Sequence, residues 1–362
     1  MSVGRAAPSA EALADTTLAS LHARLSEPSG FFDTDNLISN ETSYLHVLGP
    51  LWAMSVRGGA YIGVGPDQSF SYMAAIRPTV AFIVDIRRDN TLQHLLFKAL
   101  FELAGTRLEY LSLLLGRTAP ESPEIWHENA IAELVDYIDA LGPDPSAARL
   151  ARIRVDSAVV TFGFELSERD LATIGRFHQT FITAGPSLRF TSLGRPPRWY
   201  YPTFRGLLLE TDLTGRTSNY LAHREDYLFL RDLQMRDLVI PVVGDLAGEH
   251  ALRAVGEEVR ARGETVSVIY TSNVEFYLVG NGTFDRFAAN IATLPRDSAS
   301  VLIRSYFPNQ GTHPHAVPGH YSTQSLQTLD SFVASTEAGG YRSYWSLVTE
   351  NAIDPRPVGV GN

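Results

Sequence analysis

The sequence predicts an α/β fold: a mostly parallel sheet with helices on both faces and a large insertion between its two halves. Three observations predict it. Short runs such as VAFIVDI, residues 80–86, punctuated only by Asp85, are apolar on both strand faces, which is the signature of buried parallel strands. Such runs alternate with segments of helical periodicity, and repeated βα units of this kind wind into a right-handed, doubly covered sheet. The chain has 362 residues, 44% of them hydrophobic and 19% charged, enough to bury a large core.

Residues 1–54 read as an N-terminal helical segment. Leu13, Leu18, Leu21 and Leu25 share one side of an amphipathic helix, and Asn40 or Thr42 would cap a second helix ending near Gly49 and Pro50. Residues 55–116 form the first half of the sheet domain, with a strand at 60–64, a helix at 67–76 closed by Pro78, a strand at 80–86 and a helix at 91–115. Residues 117–236 break the rhythm. GRTAPESPE and GPDPS are loop signals, and SLGRPPRWYYPTFRG is rich in arginine and aromatics; this insertion is expected to cap the carboxyl edge of the sheet, where open α/β sheets bind ligands. Residues 237–362 form the second half. Strands are expected at 238–243, 266–270, 300–307 and 341–348, and helices at 249–262, 284–294 and 322–338.

Composition excludes several classes of function. The formal net charge is −10 and no run of five or more basic residues occurs, so long nucleic acid is not an expected partner. With no cysteine, disulfides, thiolate zinc sites, iron–sulfur clusters and cysteine nucleophiles are ruled out. No stretch reaches the roughly 18 apolar residues of a membrane helix, and the first 25 residues carry Glu11 and Asp15 without an uninterrupted apolar run. The chain therefore reads as soluble and cytoplasmic, with a small molecule as its partner; a homo-oligomer is compatible with it. Neither a G-x-S-x-G elbow nor a P-loop is present.

The strongest chemical signal is YIGVGPDQ followed by FIVDIRR. Gly63 and Gly65, flanking Val64, lack side chains that would block a ligand from the backbone, and a helix starting at Asp67 and Gln68 would aim free N–H groups at it. Twenty residues beyond Gly65, Asp85 closes the second strand, followed by Ile86 and Arg87. An acid there can accept hydrogen bonds from ribose hydroxyls. The bland alternatives are strand-end glycines in an ordinary loop, and an Asp85 that caps a helix or pairs with Arg87 or Arg88.

This order of features resembles the class I S-adenosylmethionine-dependent methyltransferases, over about residues 55–116 and 237–350. The same stretches look like an uncharacterised bacterial branch of proteins with methyltransferase-like folds. The resemblance implies a Rossmann-like, methyltransferase-type sheet and S-adenosylmethionine as cofactor. It places the cofactor against Gly63, Val64, Gly65, Asp67, Gln68, Asp85, Ile86 and Arg87, then Gly244, Asp245 and Leu246 after the third strand and Ser272 and Asn273 after the fourth. Three departures stand out: Pro66 and Asp67 replace the family's third glycine, Tyr61 stands where an acid often precedes the first, and no NPPY-like motif follows the fourth strand. Asp245 would equally serve as a helix N-cap.

For the acceptor, Asn40, Glu41, Arg198, Trp199, Tyr200 and Tyr277 are the candidate contacts, the aromatics for stacking and the arginine for pairing. Asn36, Asn40 and Glu41 precede the first strand, where the resemblance implies a segment that can fold over the cofactor; they also fit a simple helix start, and the aromatics a small core within the insertion. If methyl transfer requires a general base, Glu275 or His178 is the candidate. His313, His315 and His320 offer metal-ligand chemistry, but no acid in THPHAVPGH completes a set, and no metal is expected. Two other readings stay open: a noncatalytic ligand-binding or interaction protein with a degenerate cofactor loop, and an NAD(P)-dependent oxidoreductase, weakened by Gln68 at the last position of G-x-G-x-x-G.

Overall fold

The computed structural model describes residues 17–356, so Leu13 lies outside the described residues. In chain order the helices and strands are α1 (Leu18–Leu25), α2 (Leu48–Ala53), β1 (Ala60–Gly63), α3 (Gln68–Ile76), β2 (Val80–Asp85), α4 (Arg88–Leu103), α5 (Arg107–Leu115), α6 (Ile131–Leu141), α7 (Pro145–Val159), α8 (Glu168–Ala184), α9 (Phe204–Leu208) and α10 (Arg224–Met235). Then follow β3 (Val239–Val243), α11 (Ala251–Ala261), β4 (Val266–Tyr270), α12 (Val274–Gly280), α13 (Phe284–Ala292), β5 (Val301–Tyr306), β6 (Thr323–Thr328), α14 (Leu329–Glu337) and α15 (Tyr344–Thr349). The described strands form one sheet in the order β3-β2-β1-β4-β5-β6. Every pairing is parallel except β5 with β6, which is antiparallel. The protein is therefore an α/β protein with a Rossmann-like, mostly parallel sheet.

The interior strands are apolar because both of their faces are covered. Helices α3, α4, α5, α7, α8 and α10 pack together as one layer, while α1, α11, α13 and α14 form another, and α4 and α11 both reach β2. A single hydrophobic cluster runs from Leu18 to Val348. Within the insertion, α7 and α8 pack on α4 and α5 and do not lie over the carboxyl edge. Tyr220 reaches that edge through its hydroxyl bond to Asp67, just after β1, and so does the loop between residues 188 and 203. An antiparallel bridge between Arg189 and Thr203 closes its base, and Leu193 N donates to the Asp33 carbonyl at 2.8 Å.

Four elements differ from the sequence expectation, each for a local reason. The helix expected at 91–115 is two, because Thr106 caps a new start by accepting from Glu109 N, and Glu109 in turn accepts from Gly105 N at 2.9 Å. The second N-terminal helix begins at Leu48, where it was expected to end; Pro50 sits in its first turn, where no intrahelical N–H is needed. Residues 323–328 are the edge strand β6 and not helix: Thr328 caps α14 by accepting from Ser331 N, so the helix cannot extend backwards. The final strand expected at 341–348 is α15, started by the Ser343 cap on Ser346 N.

The join between β5, β6 and α12 holds a fully buried ion pair. Arg304 on β5 donates to Glu275 at 2.7 Å and 3.3 Å, and to Gln327 of β6 at 2.8 Å, both charged side chains being 1% exposed. The ring of Phe332 lies 5.6 Å from the guanidinium. Removing one member of such a pair leaves an uncompensated charge, which costs about 3–5 kcal/mol. Arg304→Ala is accordingly expected to lower unfolding stability by that amount in urea denaturation, with the m-value unchanged.

Candidate functional site

β1 ends at Gly63, and Gly65 turns the chain with φ of 79°, a conformation that costs an L residue about 1–2 kcal/mol. The turn is pinned from α4. Asn90 Nδ2 donates to the Gly65 carbonyl at 3.0 Å and His94 Nε2 at 2.9 Å. Burial pushes the fully enclosed His94 down to about 4, although its bond to the Gly65 carbonyl works the other way. Gly63 has a different task from the one its sequence position suggested. A Cβ there would stand 2.5 Å from the Tyr61 hydroxyl and 2.6 Å from its ring, so Gly63 makes room for a neighbouring side chain and does not line the cleft. Asp67 is buried too, accepting from the Tyr220 hydroxyl at 3.1 Å; burial raises its carboxyl to about 6.

Beyond the turn, a chamber of about 290 Å³ opens at the carboxyl ends of β1 to β4. Val64, Gly65, Asp85, Ile86, Arg87, Gly244, Asp245, Leu246, Ser272 and Asn273 all line it. Its apolar walls also include Phe31, Phe32 and Leu278, which sequence reasoning missed; the FF pair before the first strand was the available signal. Asp85 is latched to Arg87, which donates from N and Nε to Oδ1 at 2.9 Å and 3.0 Å and from the guanidinium to Oδ2 at 2.8 Å. The same guanidinium donates to the carbonyls of Thr34 and Asp35, fastening the N-terminal segment across the strand end. Asp245 accepts from Ala247 N at 2.9 Å. Gly244 lets α11 approach, since a Cβ there would lie 2.2 Å from that of Ala251.

A second chamber of about 330 Å³ adjoins the first. The two share Phe32, Asn36, Ser272, Asn273 and Tyr277 in their walls. Asn40, Glu41, Arg198, Tyr200 and Tyr277 meet here, joined by Gln68, although they come from distant parts of the chain. Tyr200 stacks on Tyr321 with ring centroids 3.5 Å apart. Arg195 at the mouth pairs with Asp33. Trp199 is 88% exposed and takes no part in the lining. Asn36, with φ of 53°, lines both chambers.

The two proposed bases are not brought to either chamber. Glu275 is committed to Arg304. His178 is buried on α8 and donates from Nε2 to the Leu113 carbonyl at 2.9 Å. In the histidine loop, His313 is 3% exposed and donates to the Val348 carbonyl, while His320 stacks edge-on against His46 with centroids 4.5 Å apart. Among the described residues, no group of three or more His, Asp or Glu side chains converges as a metal site would, and no helix is long and apolar enough to cross a membrane.

The chain belongs to the family whose model is described as a domain of unknown function, DUF7790, matched over residues 37–136 and 204–360. That match takes in the strand ends of both chambers and Glu41, and leaves out 137–203, which contains the loop with Arg195, Arg198 and Tyr200. No curated protein matches the chain.

Gly65→Ala is expected to cost about 1–2 kcal/mol in denaturant unfolding through backbone strain alone. Gly63→Ala is expected to cost about 1–3 kcal/mol through overlap with Tyr61. A double-mutant cycle separates the causes: Tyr61→Leu should rescue Gly63→Ala by about 1 kcal/mol or more and leave the Gly65→Ala penalty unchanged. His94 sets a pH dependence. Its folded value lies below the unfolded one near 6.5, so its contribution is complete above pH 6.5 and is lost as pH falls toward 4, by roughly 3 kcal/mol in all. Relative to His94→Gln, wild-type stability should decline across that window in urea titrations.

Proposed function

We propose that this protein binds S-adenosylmethionine in the first chamber and a small-molecule methyl acceptor in the second, and transfers a methyl group between them. The observation that carries this reading is the pair of adjoining chambers at the strand ends, with Gly65 and Asp85 in one and Asn40, Glu41 and Tyr200 in the other. The first chamber suits an adenosyl group. Phe31, Phe32, Leu246 and Leu278 offer apolar surface for a flat base, and Asp85 stands where a ribose hydroxyl can donate. A carboxylate accepts about four hydrogen bonds; Arg87 supplies three of them to Asp85, which leaves capacity on Oδ2 for a hydroxyl. When bound, the cofactor brings a methyl group already activated on a sulfonium, so what the protein adds is positioning and exclusion of water. Tyr277, Ser272 and Asn273, common to both chambers, would orient the two ligands toward each other.

One specific observation favours a second reading, a noncatalytic binder: neither Glu275 nor His178 reaches the chambers, so no base from the expected pair is at hand. The oxidoreductase reading gains nothing from Arg87. Its guanidinium is committed to Asp85, Thr34 and Asp35, so it does not offer itself to a 2′-phosphate.

Thermal shift and calorimetry with S-adenosylmethionine, S-adenosylhomocysteine, NAD and NADP test the proposal. At 100 times its dissociation constant, a ligand should stabilise the fold by about 2.7 kcal/mol, and the sulfur nucleosides are expected to do so. Any neutral residue at Asp85 strands the buried Arg87 charge and destabilises the fold in its own right, so affinity is read on Asp85→Asn, which keeps one acceptor oxygen for Arg87, with folding checked by circular dichroism; at least a tenfold loss is expected. Binding of NAD alone, or of none of the four, contradicts the proposal.

A further inference from the structure

We infer that the second chamber is built for a ligand with a flat apolar body and a cationic nitrogen, an arylalkylamine in chemical class, with Glu41 supplying the countercharge. The inference rests on reading that chamber as the acceptor pocket and deepens it by naming the class of acceptor. It comes from a hydrogen-bond inventory of the chamber floor. Glu41 is fully buried, and three neutral donors point at its two oxygens: Ser272 Oγ at Oε1, the Tyr270 hydroxyl at Oε2 at 2.6 Å, and Gln324 Nε2 at Oε2 at 2.8 Å. No basic side chain among the described residues pairs with it. The donors' orientations are then fixed in a chain. Since the Tyr270 hydroxyl gives its proton to Glu41, it can only accept from Gln68, whose Nε2 lies 3.0 Å away. Gln68 therefore keeps its Oε1 as an acceptor, and that buried oxygen has no partner. Gln324 is fixed likewise, its Oε1 accepting from Ser305 Oγ at 2.6 Å.

The floor thus has an excess of acceptors and one uncompensated negative charge. Unpaired acceptors and buried charge both cost free energy, and a ligand N–H⁺ donating to the half-buried Ser272 Oγ, which lines the chamber and itself donates to Glu41, would lie in the field of that carboxylate and offset its charge. The walls match the rest of such a ligand. Tyr200, Tyr277, Phe190, Phe276, Phe307 and Tyr321 line the space, giving ring faces that attract a cation and stack on an aromatic body. Arg195 and Arg198 stand at the mouth. Arg195 is half exposed and neutralised by Asp33, and Arg198 is tied to the Tyr200 hydroxyl at 2.5 Å, so solvent screens both from the floor.

The test compares tyramine, an ammonium ion at neutral pH, with tyrosol, which carries a hydroxyl in place of the amine. Calorimetry on the wild-type chain should show tyramine binding at least tenfold more tightly than tyrosol. In Glu41→Gln, checked for folding by circular dichroism, that preference should fall to less than threefold while tyrosol affinity stays within threefold of wild type. Equal or tighter binding of tyrosol, or binding of neither compound, overturns the inference, and the wild-type comparison decides this even if the variant does not fold. S-Adenosylhomocysteine titrated in parallel separates the two claims. If it binds and tyramine does not, the amine class is wrong and the cofactor reading stands; if only tyramine binds with its preference intact, the cofactor reading fails and the cation site stands.

Discussion

The structure depends on the reversal of strand order at β1. From β1 the chain moves outward through β2 and β3 on one side, then returns to build β4, β5 and β6 on the other. Right-handed crossovers put the connections of the two halves on opposite faces of the sheet, so the segments leaving β1 and β4 diverge at their carboxyl ends and a crevice must open between them. Each of the four strands around that reversal contributes a wall to the first chamber: Val64 and Gly65 after β1, Asp85 to Arg87 at β2, Gly244 to Leu246 after β3, and Ser272 to Val274 after β4. The N-terminal segment closes the crevice from the outside because Arg87 binds the carbonyls of Thr34 and Asp35.

Three carboxylates near this edge are handled in three ways, and the contrast sorts structure from function. Glu275 has a dedicated cation in Arg304 and no access to either chamber; it holds β5, β6 and α12 together. Asp85 also has a cation, Arg87, yet lines the first chamber and keeps accepting capacity. Glu41 has only neutral donors around it and borders the second chamber. A buried charge without a counterion is expensive to keep, and such expense is tolerated where a ligand benefits.

Much of the fold was legible because its signals are local. The runs 60–63, 80–85, 239–243 and 266–270 are predominantly apolar stretches between turn residues, and each is a strand. The failures were local as well: Thr106, Thr328 and Ser343 are caps that outcompete the periodicity around them. The first chamber could be read in outline, since the residues after successive parallel strands necessarily converge. The expected roles of individual residues were harder. Gly63 and Gly65 look alike in sequence, but only the positive φ of Gly65 and its bonds to α4 mark it as the turn, whereas Gly63 accommodates Tyr61. Glu275 follows β4 as a reactive group would, and only the long-range pairing with Arg304 reveals its structural role. Phe31 and Phe32 escaped notice because a segment preceding the sheet carries no periodicity that shows where it folds back.

The most direct test of the central claim is a crystal structure of the protein with S-adenosylhomocysteine. The account predicts the adenosine against Phe31, Phe32 and Leu246, a ribose hydroxyl within hydrogen-bond distance of Asp85 Oδ2, and the sulfur directed toward the wall shared by the two chambers at Ser272 and Tyr277. A nucleoside bound elsewhere, or a first chamber filled by the protein's own side chains in the crystal, would contradict it.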